Sequence, residues 1–589
     1  MTLQFSKEQK KAINSKQEHI LLIAAAGSGK TTVLSQRALR MATEHGDNVL
    51  ILTFSNRAAG DIRLRCQNEK ISIFTYHAFA YQYIKNGQTI LTTSATKKIL
   101  NGLLNKMGLD KNNISIPDII SWISKEKAAG YRAKNVGKTK LNEEIASLHE
   151  LYENIYLGYE KICIDMNVID FDDMLLLFYE YLFSSPALHN TYQHIFVDEY
   201  QDTNRIQYFI LRQLIRLTKV NSFVVGDPRQ SIYMFRGASP QNLTKYLTDF
   251  QATELFLTYN YRSTQEIISS ANNIASAQYP KTVANQNDEK NDSVSVFVFP
   301  NLNTEANYWA ITAKQLLEKD EKISIAFLFR LNKTARLVET TLLQHNVQYH
   351  LAGMDKFSNY ADVQDLLAWA KLVYNKNDAL SFKRAFGTIS GVGERTLQHV
   401  GTLDNAAIIL KEKQGTSVQL KNLRYFISIY TVIKDAFEKS ISYGIETIQK
   451  NAHILKKYEN KIGYNKRCQR YSTIVNSLAP RFEDLEEFLY NLQANDSKNE
   501  EKKGIVLSTI HKAKGLEYDY VFLPNWVQGI VPMSFKSSNL EEETNIAYVA
   551  LTRARRAVFF STIEQETPSP FLEKILPRKK WIYYDQSKR

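Results

Sequence analysis

The chain has 589 residues, more than one hydrophobic core usually serves, so a single compact domain is excluded and roughly three to four domains are expected. Apolar residues make up 44% and charged residues 23% of the chain, which excludes wholesale disorder. Lys and Arg number 74 against 61 Asp and Glu, and the formal net charge of +13 favours a polyanionic partner, with nucleic acid as the leading candidate.

The sequence carries little indication of a membrane span, a signal peptide or a cysteine-based site. No apolar run approaches the roughly 20 residues that span a bilayer, and the opening segment carries charges where a signal peptide needs an apolar core. Cys66, Cys163 and Cys468 lie far apart, which favours neither a disulfide framework nor a zinc cluster. We therefore expect a soluble, cytoplasmic protein without a membrane partner.

The first predicted elements are a buried strand, a glycine-containing loop and a helix. The apolar run 20–26 leads into this loop, and residues 31–41 carry helical spacing. Residues 86–190 have the pattern of amphipathic helices. Further buried strands are predicted, in chain order, at 49–54, 71–75, 194–197 and 222–225. The sequence thus predicts a parallel α/β sheet domain that is split by a helical insertion.

A second α/β pattern follows in the rest of the chain. Buried strands are predicted at 323–329, 504–507 and 520–523, and a mostly helical region separates the first of them from the others. The predicted fold class is therefore α/β, with two parallel-sheet domains that are each interrupted by a helical insertion. The expected boundaries are 1–85 with 191–272 for the first sheet domain, 86–190 for its insertion, 273–380 with 501–589 for the second sheet domain and 381–500 for its insertion.

The loop after the first strand has the composition of a phosphate-binding loop. Glycines precede Lys30 and Thr31 directly between a strand and a helix, where backbone N–H groups can bind phosphate. Lys30 can reach the terminal phosphates of a nucleotide and Thr31 can hold its Mg²⁺. The first glycine of the usual pattern is Ala24 here. A glycine-rich turn without a ligand is the alternative.

An acidic pair follows the predicted strand 194–197. Asp198 can hold Mg²⁺, and Glu199 can orient or deprotonate an attacking water. Taken alone, such a pair is more often a solvated strand end. The phosphate loop and the neighbouring Gln201 and Asp202 favour the catalytic interpretation.

Short segments with recognisable motif patterns are spread in order along nearly the whole chain. They are 5–12, 24–32, 52–59, 75–79, 197–204, 225–238, 257–263, 509–522 and 547–555. Together they resemble the motifs of superfamily 1 DNA helicases of the UvrD, Rep and PcrA type. The resemblance implies that the two sheet domains are RecA-like motor domains and that the cofactors are ATP and Mg²⁺.

The resemblance also implies a set of nucleotide-site residues. The adenine base would contact Gln9, Arg37 and Tyr261, and the ribose would contact Glu517. The implied nucleotide-binding set is Gln9, Ala26, Gly27, Ser28, Gly29, Lys30, Thr31, Thr32, Arg37, Tyr261, Arg262, Glu517 and Arg553. The implied catalytic set is Lys30, Asp198, Glu199, Gln230, Arg262 and Arg553, with Thr31 and Asp198 as the Mg²⁺ ligands. In this set Gln230, Arg262 and Arg553 would sense the γ-phosphate.

A second set is implied for DNA. Flat side chains stack on any base, and hydroxyl and basic groups hold phosphates. The implied DNA-binding set is Phe54, Asn56, Thr75, His77, Tyr233, Phe235, Arg236 and His511. Without the resemblance, core packing would be the favoured interpretation of Tyr233 and Phe235. With it, single-stranded DNA and single-strand/duplex junctions are the expected partners.

Two functions are compatible with these observations. The first is an ATP-dependent DNA helicase that unwinds duplex, and the resemblance alone implies that it moves 3' to 5' on single-stranded DNA and serves in DNA repair. The second is a nucleotide-binding accessory subunit of a nuclease or phage-defence complex, with weak unwinding of its own. A nuclease or a repair or defence protein is a further expected partner in either case. Intact catalytic residues favour the first function.

Three features depart from the resemblance or extend it. The tetrapeptide 227–230 has Pro-Arg in its centre where UvrD-type sequences usually have two small or acidic residues, and it is closer to RecB and AddA-type chains. The loop 389–393 resembles the start of a helix-hairpin-helix motif, which would hold duplex phosphate, although a plain glycine turn is the alternative. The basic run 456–470 is either a DNA contact or a solvated helical face.

Overall fold

A computed structural model of the chain describes most of its residues. The described residues are 4–84, 88–109, 115–136, 149–184, 191–285, 292–353, 361–412, 416–451, 475, 479–493, 504–533 and 539–585. The basic run 456–470 and Cys468 lie outside these residues. Among the described residues, every helix is too short or too polar to cross a membrane.

The strands alternate with helices along the chain. In chain order they are β1 His19–Ala24, β2 Val49–Thr53, β3 Ile71–Thr75, β4 Thr89–Ile90, β5 Val168–Ile169, β6 His194–Val197, β7 Asn221–Gly226, β8 Thr253–Leu257, β9 Tyr259–Asn260, β10 Val283–Ala284, β11 Val294–Phe299, β12 Ser324–Phe329, β13 Tyr349–Ala352, β14 Gly504–Thr509, β15 Tyr518–Leu523, β16 Ala554–Ile563 and β17 Ile582–Tyr583.

Many of the helices begin at a Ser, Thr, Asn or Asp whose side chain accepts a hydrogen bond from the first turn. In chain order the α-helices are α1 Lys7–Asn14, α2 Lys30–Arg40, α3 Asn56–Arg65, α4 Tyr76–Tyr83, α5 Thr93–Lys106, α6 Ile116–Ala128, α7 His149–Asp165, α8 Asp173–Ser184, α9 Arg205–Thr218, α10 Gln241–Phe250, α11 Gln265–Ile274, α12 Leu302–Lys319, α13 Ala335–Gln344, α14 Ala361–Tyr374, α15 Ala379–Phe386, α16 Glu394–Val400, α17 Leu403–Glu412, α18 Ser417–Phe437, α19 Ile441–Asn451, α20 Leu485–Gln493, α21 Leu540–Leu551 and α22 Pro570–Ile575.

The chain divides into two compact units. Unit 1 comprises Met1–Val298, Lys514–Glu517 and Trp526–Arg589, and unit 2 comprises Phe299–Ala513 and Tyr518–Asn525. Residues 514–517 of the 509–522 segment therefore belong to unit 1, as do α21 and Arg553.

Unit 1 contains a six-stranded parallel sheet in the order β3-β2-β6-β7-β1-β8. Its central strands are buried on both faces, because alternate side chains of an extended strand point to opposite sides. Leu21 and Ile23 belong to one hydrophobic cluster, whereas Ile20 and Leu22 belong to another. This double burial explains why the strands appear in the sequence as continuous apolar runs.

The helices α5, α6 and α7 of unit 1 surround a small core of their own. Leu100, Trp122 and Tyr156 are buried in it. This core is separate from the two clusters that cover the faces of the sheet. The first insertion predicted from amphipathic periodicity is therefore mostly helical in its described part, with the short strands β4 and β5 besides.

Unit 2 contains parallel strands in the order β13-β14-β12-β15 and a large helical core. That core is formed by α14–α20, and Trp369 and Phe426 lie at its centre, 4.8 Å apart between ring centroids. The strands predicted at 49–54, 71–75, 194–197, 222–225, 323–329, 504–507 and 520–523 are confirmed to within a few residues. The α/β fold class, with parallel sheets and helical interruptions, is confirmed as well.

Candidate functional site

The predicted site residues of unit 1 follow the carboxyl ends of its parallel strands. The phosphate loop follows β1, Asp198 follows β6 and Gln230 comes shortly after β7. Phe54 follows β2, and Arg262 comes shortly after β8. Because all six strands are parallel, these side chains meet at one edge of the sheet, which is where α/β proteins bind ligands.

The phosphate loop owes its shape to two glycines. Gly27 has φ +66° and Gly29 has φ +84°, which are left-handed conformations that favour glycine. A Cβ atom on Gly27 would lie 2.5 Å from Nδ2 of Asn260 and 2.8 Å from Cβ of Arg262. Gly29 is the N-cap of α2, whose first N–H groups therefore face the loop. Such a helix N-terminus binds phosphate.

Gln9 and Arg37 are the predicted base contacts. Gln9 links α1 to the phosphate loop, and Arg37 links α2 to α1. The Gln9 Nε2 donates to the carbonyl oxygen of Ser28 at 3.1 Å. The Arg37 Nη1 donates to the carbonyl oxygens of Ala12 at 2.8 Å and Ile13 at 3.1 Å. Burial lowers the pKa of Arg37 to about 10. Both side chains therefore form intramolecular hydrogen bonds in this structure, and contact with a base stays a prediction.

Lys30 lies in a partly buried, mostly acidic environment. Its Nζ donates to the carbonyl oxygen of Ala24 at 3.4 Å. Burial lowers its pKa, and the charges of Glu199, Asp227 and Asp198 oppose that shift. An ammonium group surrounded by three carboxylates and aimed at a phosphate loop is well placed to bind nucleotide phosphates.

The two carboxyls of the acidic pair differ in electrostatic character. Burial and the neighbouring Glu199 charge raise the pKa of Asp198 to about 7. Burial alone would raise the pKa of Glu199 too, but Lys30 and Lys514 outweigh it, so that pKa is lowered. Glu199 also has a left-handed φ of +52° and accepts a hydrogen bond from Nε2 of Gln201. Glu199 is therefore the ionised and oriented member of the pair.

The segment after β8 packs directly on the phosphate loop. The Asn260 Nδ2 donates to the carbonyl oxygen of Ala26 at 2.6 Å, and the Tyr261 N–H donates to that of Gly27 at 2.9 Å. The Tyr261 side chain is more than a third exposed. The next residue, Arg262, donates from Nε to Glu517 Oε2 at 2.7 Å.

Glu517 is held by two arginines. Besides Arg262, the Arg555 Nη2 donates to its other carboxylate oxygen at 2.6 Å. Burial opposes ionisation of Glu517, but the two guanidinium groups prevail and lower its pKa to about 2. The predicted ribose contact would have to form in competition with these two ion pairs.

Arg553 contacts Gln230, which lies shortly after β7. Its side chain is 1% exposed, and its Nη2 donates to Oε1 of Gln230 at 3.3 Å. Burial and the nearby Arg262 charge lower its pKa to about 9. The charges of Glu199 and Arg553 thus act on Lys30, and those of Arg262 and Glu199 act on Arg553.

The residues predicted to hold Mg²⁺ suit that ion chemically. Thr31 and Asp198 offer hydroxyl and carboxylate oxygens, which Mg²⁺ prefers. Burial disfavours the Asp198 charge, and a cation would remove that penalty. Among the described residues, the buried Ser28 Oγ and Asp202 Oδ1 have no hydrogen-bond partner. Polar atoms of this kind beside the acidic pair and in the loop fit a site that receives a charged ligand.

A row of aromatic rings lies beside the nucleotide residues. Phe54 and Tyr233 are stacked with centroids 5.1 Å apart and an interplanar angle of 23°. Tyr233 and Phe235 are 6.2 Å apart, and the Arg236 guanidinium lies over both of their rings at 5.6 and 5.5 Å. Phe54 is 37% exposed and Phe235 is 46% exposed, so neither is a core residue.

The other predicted DNA contacts have mixed positions. Asn56 is exposed in the first turn of α3, whereas the Thr75 hydroxyl caps α4 by accepting from the Ala78 N–H at 3.2 Å. His77 stacks on the ring of Phe171 at 4.0 Å, and burial lowers its pKa to about 4. His511 belongs to unit 2, where it is partly buried just after β14.

No site role was assigned from the sequence to Lys514, Asp227 or Arg229. The Lys514 Nζ donates to Asp202 Oδ2 at 2.6 Å and lies 5.3 Å from the centre of the Tyr233 ring. Asp227 and Arg229 form a buried ion pair beside Gln230. All of these residues lie within motif segments, which is the signal that could have found them.

Comparison with known proteins identifies the family. A family model described as the UvrD/REP helicase N-terminal domain matches residues 5–251. A second, described as the UvrD-like helicase C-terminal domain, matches residues 255–565. The chain belongs to the UvrD/REP helicase family. The parallel-sheet parts described above are accordingly the two RecA-like motor domains of a UvrD-like protein.

Curated relatives match along most of their length. The ATP-dependent DNA helicase PcrA of Bacillus subtilis (strain 168) is 29% identical over 623 residues, which cover 95% of this chain and 82% of the relative. The protein of the same name from Leuconostoc citreum is 27% identical, covering 98% of this chain and 85% of the relative. That from Staphylococcus aureus (strain Mu50 / ATCC 700699) is 27% identical, covering 96% and 86%.

Proposed function

We propose that this UvrD-like chain is an ATP-dependent DNA helicase that moves 3' to 5' on single-stranded DNA. The observation that carries the proposal is the convergence of Lys30, Glu199, Gln230, Arg262 and Arg553 behind the phosphate loop. The relatives named ATP-dependent DNA helicase PcrA support the activity. The polarity rests on the resemblance to UvrD-type helicases.

The cluster provides the groups that ATP hydrolysis requires. Lys30 and the N-terminus of α2 would bind the phosphates, and ionised Glu199 would orient a water and accept its proton. That water would attack the γ-phosphorus while the bond to the bridging oxygen breaks. Arg262 and Arg553 would neutralise the charge on the transferred group, a contribution of about 10³ to 10⁵ in rate for an arginine of this kind.

Thr31 and Asp198 would hold the Mg²⁺ that accompanies ATP. The ion would neutralise phosphate charge when bound. The protein's own contribution is the buried Asp198 carboxylate beside Glu199, which keeps the two roles on adjacent residues. Glu199 then remains available for the water.

The aromatic row would contact the DNA track. Phe54, Tyr233 and Phe235 present flat faces with Arg236 beside them, a combination that binds single strands without sequence preference. Lys514 contacts both the ring of Tyr233 and the carboxylate of Asp202. It therefore connects the aromatic row to the segment after β6 that contains the acidic pair. A change at the nucleotide would therefore be transmitted to a stacked base over a short path.

We also propose a domain arrangement for this helicase. The first motor domain would comprise 1–85 and 191–272 and the second 273–380 and 501–589. The insertions would be 86–190 and 381–500. The helical core of α5, α6 and α7 supports the first insertion, and that of α14–α20 supports the second, although α14 itself precedes the proposed boundary at 381.

Unwinding of tailed duplexes tests the function and its polarity. The purified chain should hydrolyse ATP faster when single-stranded DNA is added, and it should unwind duplexes with a 3' tail but not those with a 5' tail or blunt ends. Lys30→Ala serves as the inactive control. Unwinding from a 5' tail would overturn the polarity. ATP binding without unwinding of any substrate would instead favour the accessory-subunit function.

A further inference from the structure

We propose that Arg229 is a positioning residue that acts through Asp227 to fix the orientation of the Gln230 amide towards Arg553. The inference rests on the proposed ATP hydrolysis and concerns a residue outside the predicted nucleotide and DNA sets. It explains what the Pro-Arg pair in the centre of 227–230 does in this chain.

The geometry forms a short chain of polar contacts. Asp227 is fully buried, and its Oδ1 accepts a hydrogen bond from Nε of Arg229 at 2.8 Å. Its other oxygen, Oδ2, accepts from Nε2 of Gln230 at 2.8 Å. The Gln230 Oε1 in turn accepts from Nη2 of Arg553 at 3.3 Å. The Asp227 carboxylate therefore links Arg229 to Gln230, one of the proposed γ-phosphate sensors.

The chemistry of these groups determines how the amide is turned. An ionised carboxylate only accepts hydrogen bonds and a guanidinium only donates them. The Gln230 NH₂ group must therefore face Asp227, and the carbonyl oxygen must face Arg553. If Asp227 were lost or protonated, only the longer 3.3 Å contact with Arg553 would oppose a flip of the amide. Gln230 would then be held less firmly in the orientation that directs its oxygen at Arg553.

Arg229 supplies the charge that keeps Asp227 ionised. Burial would raise the pKa of this carboxyl, but the nearby charges of Arg229 and Lys30 overcome that effect and lower it. An uncompensated buried charge is strongly unfavourable, so a carboxylate at this depth needs a partner. Arg229 is that partner at 2.8 Å, and its own side chain is buried as well.

Arg229 is itself anchored by three further contacts within unit 1. Its Nη1 donates to the carbonyl oxygen of Pro280 and the hydroxyl of Thr282, each at 3.3 Å. Its guanidinium carbon lies 5.5 Å from the centre of the Tyr548 ring on α21. The α21 helix ends at Leu551, two residues before Arg553. Arg229 therefore contacts the helix that leads to Arg553, the last residue in this series of polar contacts.

The α21 helix makes a second contact with this loop. The Asn545 Nδ2 donates to the carbonyl oxygens of Pro228 at 3.2 Å and Ser231 at 3.0 Å. The backbone on both sides of Gln230 is therefore fixed to α21 independently of Arg229. Removing the Arg229 charge should release the Gln230 side chain while leaving its backbone in place.

Steady-state ATP hydrolysis with single-stranded DNA tests the inference. We expect Arg229→Met to lower kcat by about 10- to 100-fold, the size of effect that follows from misplacing a catalytic group, while KM for ATP changes by less than about threefold. Arg229→Lys keeps the positive charge and should recover part of the lost kcat. A normal kcat in Arg229→Met would overturn the inference.

A double variant separates positioning from folding. Asp227→Asn combined with Arg229→Met removes both charges, so it should unfold at a higher urea concentration than Arg229→Met alone. Its kcat should nevertheless stay low, because an Asn amide can accept or donate and no longer selects one orientation of Gln230. Recovery of kcat together with stability would show that the pair is only structural and would overturn the inference.

Arg336→Met is the matched control for loss of a buried ion pair. Arg336 on α13 pairs with Glu339 at 2.6 Å and is as deeply buried as Arg229. This variant should lose stability with no change in kcat. Measurements on the wild-type chain distinguish failure of the proposed function from failure of the role proposed for Arg229. If it does not hydrolyse ATP, the proposed function fails, whereas hydrolysis that is insensitive to Arg229→Met refutes only the role of Arg229.

Discussion

Gly27 leaves very little room for a side chain. Its φ of +66° is strained for an alanine, and a Cβ would collide with Asn260 and Arg262. We expect Gly27→Ala to displace the phosphate loop and to weaken ATP binding by at least tenfold, measured by titration with a fluorescent ATP analogue.

Gly102→Ala is the control for this substitution. Gly102 lies within α5, and a Cβ added there would have no neighbouring atom of the described residues within 4 Å, so alanine should raise helix stability by about 1 kcal/mol. ATP binding should be unchanged. Equal binding by Gly27→Ala and the wild type would show that the loop does not contact nucleotide in the proposed way.

Lys30 and Glu199 should fail differently when they are replaced. Lys30 contacts phosphate before and during the reaction, so Lys30→Ala should lose both ATP binding and turnover. Glu199→Gln removes the group that orients water but keeps the shape of the side chain. It should therefore bind ATP with near-normal affinity while kcat falls by at least about 100-fold. Near-normal DNA-stimulated hydrolysis in either variant would mean that the residue is misassigned.

Sequence and structure contribute differently at this scale. Asp198 and Glu199 could be predicted because they directly follow a strand that is recognisable from its apolar run, and Lys30 because it ends the glycine-containing loop after another such strand. The contacts of Asp227 with Arg229 and Gln230 could not, since an acid at a strand end is usually solvated and only the tertiary fold shows that this one is buried. The same holds for Lys514, whose partner Asp202 is more than 300 residues away in the sequence.

At the level of elements, the central strands of the six-stranded sheet were predicted from their apolar runs. Strands β2, β6 and β7 are covered on both faces and were found as unbroken apolar runs. Strand β8 at the edge of the sheet was not predicted, because the sequence Thr-Glu-Leu-Phe-Leu is buried mainly in its second half. Edge strands carry polar residues on their exposed positions, which weakens the signal.

The helical insertion of unit 1 depends on a buried ion-pair cluster. The Lys127 side chain is 1% exposed and pairs with Asp170 at 2.6 Å and Asp173 at 2.7 Å. Lys127→Met would remove the nearest cation from both carboxylates and leave Asp173 with only the longer 3.7 Å contact to Arg132, which should cost about 3–5 kcal/mol. Urea unfolding of the full chain, followed by tryptophan fluorescence, should show a lower midpoint.

Lys450→Met is the matched control for that measurement. Lys450 is largely exposed and pairs with Glu446 at 3.6 Å on the surface of α19. An exposed pair contributes only about 0–1 kcal/mol, so the midpoint should stay close to that of the wild type. Equal shifts in the two lysine variants would show that the cluster around Lys127 is solvated.

The short helix 234–236 places Phe235 beside Tyr233 and Arg236. Phe235→Ala should cost about 1–3 kcal/mol of affinity for single-stranded DNA through lost stacking, with little change in affinity for ATP. Fluorescence anisotropy with a labelled oligonucleotide measures the first quantity. Phe183→Ala, at an exposed phenylalanine of α8, should bind DNA normally. Unchanged DNA affinity in Phe235→Ala would remove this residue from the track.

At the scale of the whole molecule, the nucleotide residues come from distant parts of the sequence. The α1 helix, the strand ends of the first sheet and the 514–517 and 526–589 segments all belong to unit 1. Arg262 bonds to Glu517, and Gln230 bonds to Arg553. The order of motifs along the chain could predict that these residues act together, but only the fold shows which pairs are in contact.

The net charge of +13 leads to a prediction about the complete protein. If phosphates of single-stranded DNA supply much of the binding free energy, the logarithm of the association constant should fall linearly with the logarithm of salt concentration, at a slope of about −0.7 for each neutralised phosphate. Arg236→Gln should make that slope shallower by about 0.7 if Arg236 contacts one phosphate. Lys376→Gln, at an exposed lysine of unit 2 that pairs with Asp404, should leave the slope unchanged. Anisotropy titrations over a range of salt concentrations provide the measurement. A response that is flat with salt would mean that the positive charge serves a protein partner instead of the DNA.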